Sequence, residues 1–159
     1  MMTIRLVCVG DLKEDHWTKA ASEYAKRLDG FCKLEIVEIQ EAKLPSNPGE
    51  ALIQSAIESE GTKILAKCGG FHLIALAIEG AMESSPAFSE RLEKLGVAGV
   101  SKVAFAIGGS HGLSDEVKRK ADQLLSFSPM TFPHQLMRVV LLEQIYRAFS
   151  IQRKSSYHK

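Results

Sequence analysis

Between Ala104 and Glu116 the chain reads AFAIGGSHGLSDE: an apolar run, two glycines, a histidine, a third glycine and a Ser-Asp-Glu triplet. A glycine-rich turn between a strand and a helix can press backbone N–H groups against a ligand, most often a nucleotide phosphate. The residues here argue against phosphate. A dinucleotide fingerprint needs a glycine where Ile107 stands, and an acid about 20 positions on, where the sequence is LSFSPMTF. A P-loop needs Gly-Lys-Ser/Thr, and Gly112 is followed by Leu113. Ser114 is a suitable N-cap, and Asp115 and Glu116 in the first turn complement a helix dipole. The same two carboxylates repel a phosphate. The loop therefore suits a neutral or cationic ligand met through the main chain, and S-adenosylmethionine, a sulfonium without phosphate, has that chemistry. A tight turn that only needs glycine dihedrals explains the loop equally well. His111 within it reads as an exposed turn histidine, as do His16 before Trp17 and His72 at a strand start.

Elsewhere, nucleophile and metal patterns are missing. Cys8, Cys32 and Cys68 are odd in number and lie at neither metal nor redox spacing. All three sit in or beside apolar stretches, as buried thiols do. No metal is expected, and no disulfide framework.

The elements that must carry the loop can be read from periodicity. TIRLVCVG and CKLEIVEIQ alternate as strands, and FHLIALAIEG and SKVAFAIGG are continuous apolar runs suited to strands buried on both faces. LLSFSPMTFPHQ is a short strand running into a loop broken by Pro129 and Pro133. Helical spacing marks EDHWTKAASEYAKRLDG, ALIQSAIESEGTKILAKC, PAFSERLEKLGVAG, the short SDEVKRKADQ and the long QLMRVVLLEQIYRAFSI. Gly61 weakens or bends the second of these. EAKLPSNPGE is the one Pro-rich loop. Strand and helix alternate throughout, which predicts an α/β fold with a largely parallel sheet and helices on both faces. The last helix is apolar nearly all round, so it must be buried on more than one side. A sheet on one side and a second copy of the chain on the other is the economical arrangement, and a symmetric homodimer its commonest form.

At 159 residues, with 45% hydrophobic and 25% charged residues, the chain has the make-up of one globular domain over residues 1–159. It has no apolar run of membrane-spanning length and its first ten residues lack a secretory pattern, so a cytoplasmic location without membrane contact is expected. The net charge of +1 gives the whole chain no reason to bind nucleic acid. The distribution is uneven, however. After His134 the charged residues are Arg138, Glu143, Arg147, Arg153, Lys154 and Lys159. That cationic end is either a nucleic-acid footprint or a solvated tail.

Three segments, FAIGGSHGLSDEV, LSFSPMTFPHQLMRVVLLEQIYRAFSI and the closing YHK, together resemble the ribosomal RNA large subunit methyltransferase H family, the 23S rRNA pseudouridine N3-methyltransferases of the SPOUT class. The resemblance extends over essentially the whole chain, and the SFSPMTFPHQLMRVVLLEQIYRAFSI block is its most specific part. It implies a C-terminal trefoil knot whose loops bind S-adenosylmethionine, a homodimer, and methylation of N3 of a pseudouridine in 23S rRNA within the ribosome. By position it implies cofactor contacts at Leu76, Gly108, Phe127, Ser128, Pro129, Met130, Thr131 and Phe132.

That reaction needs the acceptor nitrogen held in line with the methyl–sulfur axis, and N3 must lose a proton. The catalytic candidates are His134, Arg138, Tyr157 and His158. Arg138 follows His134 by four residues, so both lie on one side of the helix start. His134 could take the proton and Arg138 could steady negative charge. Tyr157 could stack on a base, with His158 and Lys159 reaching RNA. The tail is expected to order over the pocket, its own or that of a partner. The competing readings are a non-enzymatic RNA-binding module, a nucleotide-dependent enzyme, which the missing glycine, ribose acid and P-loop lysine disfavour, and a knotted methyltransferase acting on another RNA such as tRNA.

Overall fold

The computed structural model describes residues 1–159. Its elements alternate as the periodicity predicts: β1 (Thr3–Val9), α1 (Asp15–Arg27), β2 (Lys33–Ile39), α2 (Glu50–Cys68), β3 (His72–Met82), α3 (Ser85–Val97), β4 (Lys102–Ile107), α4 (Asp115–Lys120), β5 (Gln123–Ser126) and α5 (His134–Gln152). The strands form one sheet in the order β2-β1-β4-β3-β5, and every pairing is parallel.

Period-two alternation divides the strand side chains between two layers. Ile4, Leu6 and Cys8 of β1, Val103, Phe105 and Ile107 of β4, and Ile74 of β3 face α1, α3 and α5. Val7, Val9, Ala104, Ala106, Leu73 and Ala75 face α2 and α4. Large strand residues thus meet the three-helix layer, and the small Ala104, Ala106 and Ala75 lie under the two-helix layer. The three cysteines are buried in these layers, and burial pushes each thiol up to about 11.

Three expectations are modified. β3 is buried on both faces only in its first half. From Glu79 on it is mostly exposed, and its pairing with β5 shifts register between Leu76 and Ala81. α2 runs unbroken through Gly61, and the glycine serves packing: a Cβ there would overlap Ser114 Oγ. α5 begins at His134, one residue nearer the Pro129–Pro133 loop than the apolar pattern suggested. None of its residues is exposed, because α1 and α3 flank it on the sheet and take up much of the apolar surface that the sequence assigned to a second copy. No helix is long and apolar enough to cross a membrane.

Candidate functional site

The carboxyl ends of β4 and β5 each release a loop, and β3 presents its irregular stretch, into one cavity of about 730 Å³. β3 contributes Leu76 to Glu79, where the register shift swings the chain outward. Gly80 lies so close to β5 that a Cβ would stand 2.7 Å from the Leu124 carbonyl carbon. β4 contributes Ile107 to Leu113. In that loop the Gly112 N–H donates to the Gly109 carbonyl at 3.1 Å, and Gly112 has φ +84°, a conformation that glycine adopts without strain. A Cβ on Gly108 would stand 2.6 Å from the Gly112 carbonyl carbon. Glycine is therefore required at both positions by the turn, and the same turn lays main chain along the cavity wall.

β5 contributes Leu125 to Ser128 and Met130 to Pro133. Ser128 shapes this loop: its carbonyl accepts from Ser126 Oγ at 3.1 Å and its Oγ accepts from the Met130 N–H at 3.0 Å. Of the eight residues that the resemblance assigned to the cofactor, Leu76, Gly108, Phe127, Ser128, Met130, Thr131 and Phe132 line the cavity. Pro129 stands in the same loop, exposed and outside the lining. Asp115 and Glu116 take the first turn of α4, with Ser114 Oγ accepting from the Val117 N–H at 3.2 Å. Lys118 is the one Lys or Arg in the cavity wall, and its ammonium is held 2.7 Å from Glu79, whose carboxyl it keeps below its usual range. The wall is thus mainly apolar and main-chain, with no cationic cradle for phosphate.

The catalytic candidates separate. His134 lines the cavity from the first turn of α5, joined by Met137. Arg138 does not face it. Its guanidinium is buried, donating to Glu38 Oε2 at 2.8 Å and to the Gly10 carbonyl at 3.1 Å, so it ties α5 to the ends of β1 and β2. Tyr157 and His158 lie on the far part of α5 of their own chain. Tyr157 donates to Glu143 Oε1 at 3.1 Å, packs edge-on to Tyr146 at 4.8 Å and lies under the Arg147 guanidinium. His158 Nδ1 stands 3.2 Å from Arg147 Nη1. The tail is ordered, but it does not cover its own chain's cavity.

The cationic end is neither a free patch nor a solvated tail. Arg138 pairs with Glu38, Arg147 with Glu143, and Arg153 donates to the Gly30 carbonyl over the Phe31 ring. Only Lys154 and Lys159 remain exposed without such partners.

Residues 2–158 match the family described as "Predicted SPOUT methyltransferase". Proteins named ribosomal RNA large subunit methyltransferase H from Bacillus cytotoxicus and Bacillus thuringiensis are each 50% identical over 159 residues, spanning 99% of this chain and all of theirs. The chain belongs to that family. The trefoil-knotted α/β fold of the SPOUT class comes with this membership. Among solved structures, a probable methyltransferase from Bordetella pertussis Tohama I superposes with TM-score 0.60 at 13% identity, over 92% of this chain and 95% of that one. A tRNA (m1G37) methyltransferase from Aquifex aeolicus superposes with TM-score 0.51 at 14% identity, over 91% and 69%. These two share the fold.

For a member of the methyltransferase H family, two wall and near-wall residues went unread in the sequence, Glu41 and Ser110. Glu41, in the loop after β2, accepts from the Ser110 N–H at 3.2 Å and from Ser110 Oγ at 2.8 Å. That hydroxyl chiefly, with the burial opposing it, holds the Glu41 carboxyl below its usual range, and His134 and His111 act in the same direction. His111 is exposed, as expected of a turn histidine, yet lines the cavity. Nothing in the local pattern of EAKLPSNPGE marks Glu41, because its partner lies 69 residues away. No group of three or more His, Cys, Asp or Glu side chains is gathered as metal ligands would be.

Proposed function

We propose that this chain, as a homodimer in the cytoplasm, uses S-adenosylmethionine to methylate N3 of a pseudouridine in 23S rRNA of the ribosome's large subunit. The observation that carries the cofactor is the cavity itself. Its volume is in the range of small-molecule sites. Leu76, Phe127, Met130 and Phe132 offer apolar surface for a purine face, and the Gly108–Gly112 turn offers main-chain groups at a wall where a Cβ would not fit. Pro129 fixes the loop that Ser128 shapes. The lone Lys118, already paired with Glu79, suits a ligand without phosphates. The substrate rests on the identity with the Bacillus proteins that carry the large-subunit name.

Bound there, S-adenosylmethionine would supply a methyl group on a cationic sulfur, which becomes a neutral thioether when N3 takes the methyl. The chain's own part is alignment and removal of the N3 proton. His134, at the cavity wall, accepts that proton. Arg138 contributes by position: its bonds to Glu38 and the Gly10 carbonyl hold the first turn of α5, and hence His134, against the strand ends. Tyr157 and His158 act on the RNA side, on a pocket other than their own.

Mass spectrometry of rRNA nucleosides from cells lacking the protein tests the reading. One methylated pseudouridine is expected to lose its methyl, and plasmid expression is expected to restore it. An unchanged rRNA map with a methyl lost from tRNA would move the substrate to tRNA, and unchanged maps of both would overturn the reading.

A further inference from the structure

A second hollow, of about 600 Å³, lies at the carboxyl ends of β1 and β2, beside the cofactor cavity. Of its nine lining residues only Ile39 is apolar, and Asp11, Lys13, Glu38, Gln40, Glu41 and Gln135 make it a polar chamber. His134 belongs to the lining of both spaces. A transfer between two molecules needs two seats with a common wall, and this is the polar space that shares a wall residue with the cavity.

Gly10 forms part of the hollow's lining, between His134 and Glu41. Its φ is +89°, and a Cβ there would stand 3.4 Å from His134 Nε2 and 4.0 Å from Glu41 Oε2. The space over Gly10 is thus bounded by two potential acceptors. Glu41 is fixed for this part: Oε1 is occupied by the Ser110 N–H and hydroxyl, which leaves Oε2 on the hollow side. Gln135 adds a buried Oε1 with no partner in the chain, an unmet acceptor at the same wall. Asp11, Lys13 and Gln40 are exposed around the rim.

A base that matches two converging acceptors must present two N–H groups. The uracil ring of a pseudouridine does so, at N1 and N3, whereas a uridine ring in RNA offers only N3–H because its N1 carries the ribose. We propose that the hollow over Gly10 seats the target base, a C-linked uracil ring, with His134 Nε2 and Glu41 Oε2 as acceptors for its two N–H groups. This rests on the methyl-transfer reading above and adds where the acceptor sits and how the chain tells it from uridine. The Glu41–Ser110 contact also joins the base's seat to the glycine turn of the cofactor cavity, so the two seats keep a fixed relation.

Gln40→Trp and Glu41→Gln test the assignment, one by filling the exposed rim and one by removing charge while keeping an oxygen for Ser110. Calorimetry with S-adenosylhomocysteine is expected to give each variant a dissociation constant within about twofold of the parent, because neither residue lines the cofactor cavity. Methyl transfer to unmethylated ribosomes, at saturating cofactor, is expected to fall about tenfold or more in both, the size of losing a charged or buried hydrogen bond. For Glu41→Gln the preference for ribosomes bearing pseudouridine over ribosomes bearing uridine at the target is expected to shrink by a similar factor. Wild-type transfer rates in Gln40→Trp, or an unchanged preference in Glu41→Gln, would overturn the seat. Failure of the parent to bind S-adenosylhomocysteine or to methylate ribosomes at all would instead defeat the underlying reading.

Discussion

Gly61 and Ser114 show how much one missing carbon can decide. α2 and α4 pack against the same sheet face, and their closest approach brings Ser114 over Gly61. Ser114 is buried and caps α4, so it cannot move aside without uncovering the Val117 N–H. Gly61→Ala is expected to cost about 1–3 kcal/mol, as overpacking does, in urea unfolding. Ser114→Gly removes the clashing atoms at a cost of a few tenths of a kcal/mol in capping. The double variant should therefore lose less than the sum of the two singles. Strict additivity would mean that Gly61 matters only for helix propensity. A second residue, Glu60, gives a pH prediction. It is buried, accepts from the Ala42 N–H at 2.8 Å, and burial lifts its carboxyl above the usual range. A raised carboxyl contributes stability that is full below its unfolded value and is lost as pH rises through its folded value. Glu60→Gln keeps an oxygen for Ala42 and removes that loss. It should be more stable than the parent at neutral pH, and the gap should close near pH 4, about where a free glutamate titrates. A gap that persists or widens in acid would sink the idea.

Among the elements, what was legible followed from period and punctuation, and what was not followed from partners distant in sequence. Alternation in β1 and β2, and the continuous apolar run of β4, located those strands because each strand's own residues set its pattern. Ser114, Asp115 and Glu116 located α4 because a cap is local. β3 misled because its apolar run continues into the register shift, between Leu76 and Ala81, where the strand is no longer covered on both faces. Ile78 is exposed there and lines the cavity. The wrapped loops of the site carry apolar residues at the surface for the same reason. Met130 and Phe132 look like core in the sequence, and both are exposed at the cavity mouth. Arg138 followed His134 at helical spacing, and the spacing is real, but a residue's partner fixes its role. Glu38 lies 100 positions away and draws the guanidinium under the strand ends. Glu41 was invisible for the same reason. The glycine loop was half legible. Its residues excluded phosphate, and only the close approach of Gly108 to Gly112 shows that the turn and the cavity wall are one feature.

At the scale of the whole molecule, the arrangement of charge and tail sets the last prediction. A net charge of +1 and a cationic end consumed by Glu38, Glu143 and the Gly30 carbonyl leave little for gripping free RNA, whose affinity grows with cationic contacts. Acting on RNA, such a chain would need a preformed surface met with few contacts, the tail residues among them. The tail, however, lies against Glu143, Tyr146 and Arg147, while the cavity opens beside His134 and Met137. Thirteen residues of helix separate His134 from Arg147, or about 20 Å of rise at 1.5 Å per residue. A tail fixed there can serve a pocket only if another copy presents one. If α5 is shared between two copies in a symmetric dimer, each tail is carried toward the other copy's site. The parent should then sediment at twice 17.5 kDa. A chain lacking Tyr157 to Lys159 should bind cofactor and fail to methylate. A His134→Ala chain should keep its tail and also fail. Unfolded together and refolded in equal amounts, the two should form mixed dimers in which an intact pocket meets an intact tail from its neighbour. Methylation should return to roughly a quarter of the parent's, since half the dimers are mixed and each has one complete site. A mixture no more active than its parts would place tail and pocket in the same chain, and a species of 17.5 kDa would remove the dimer on which the argument rests.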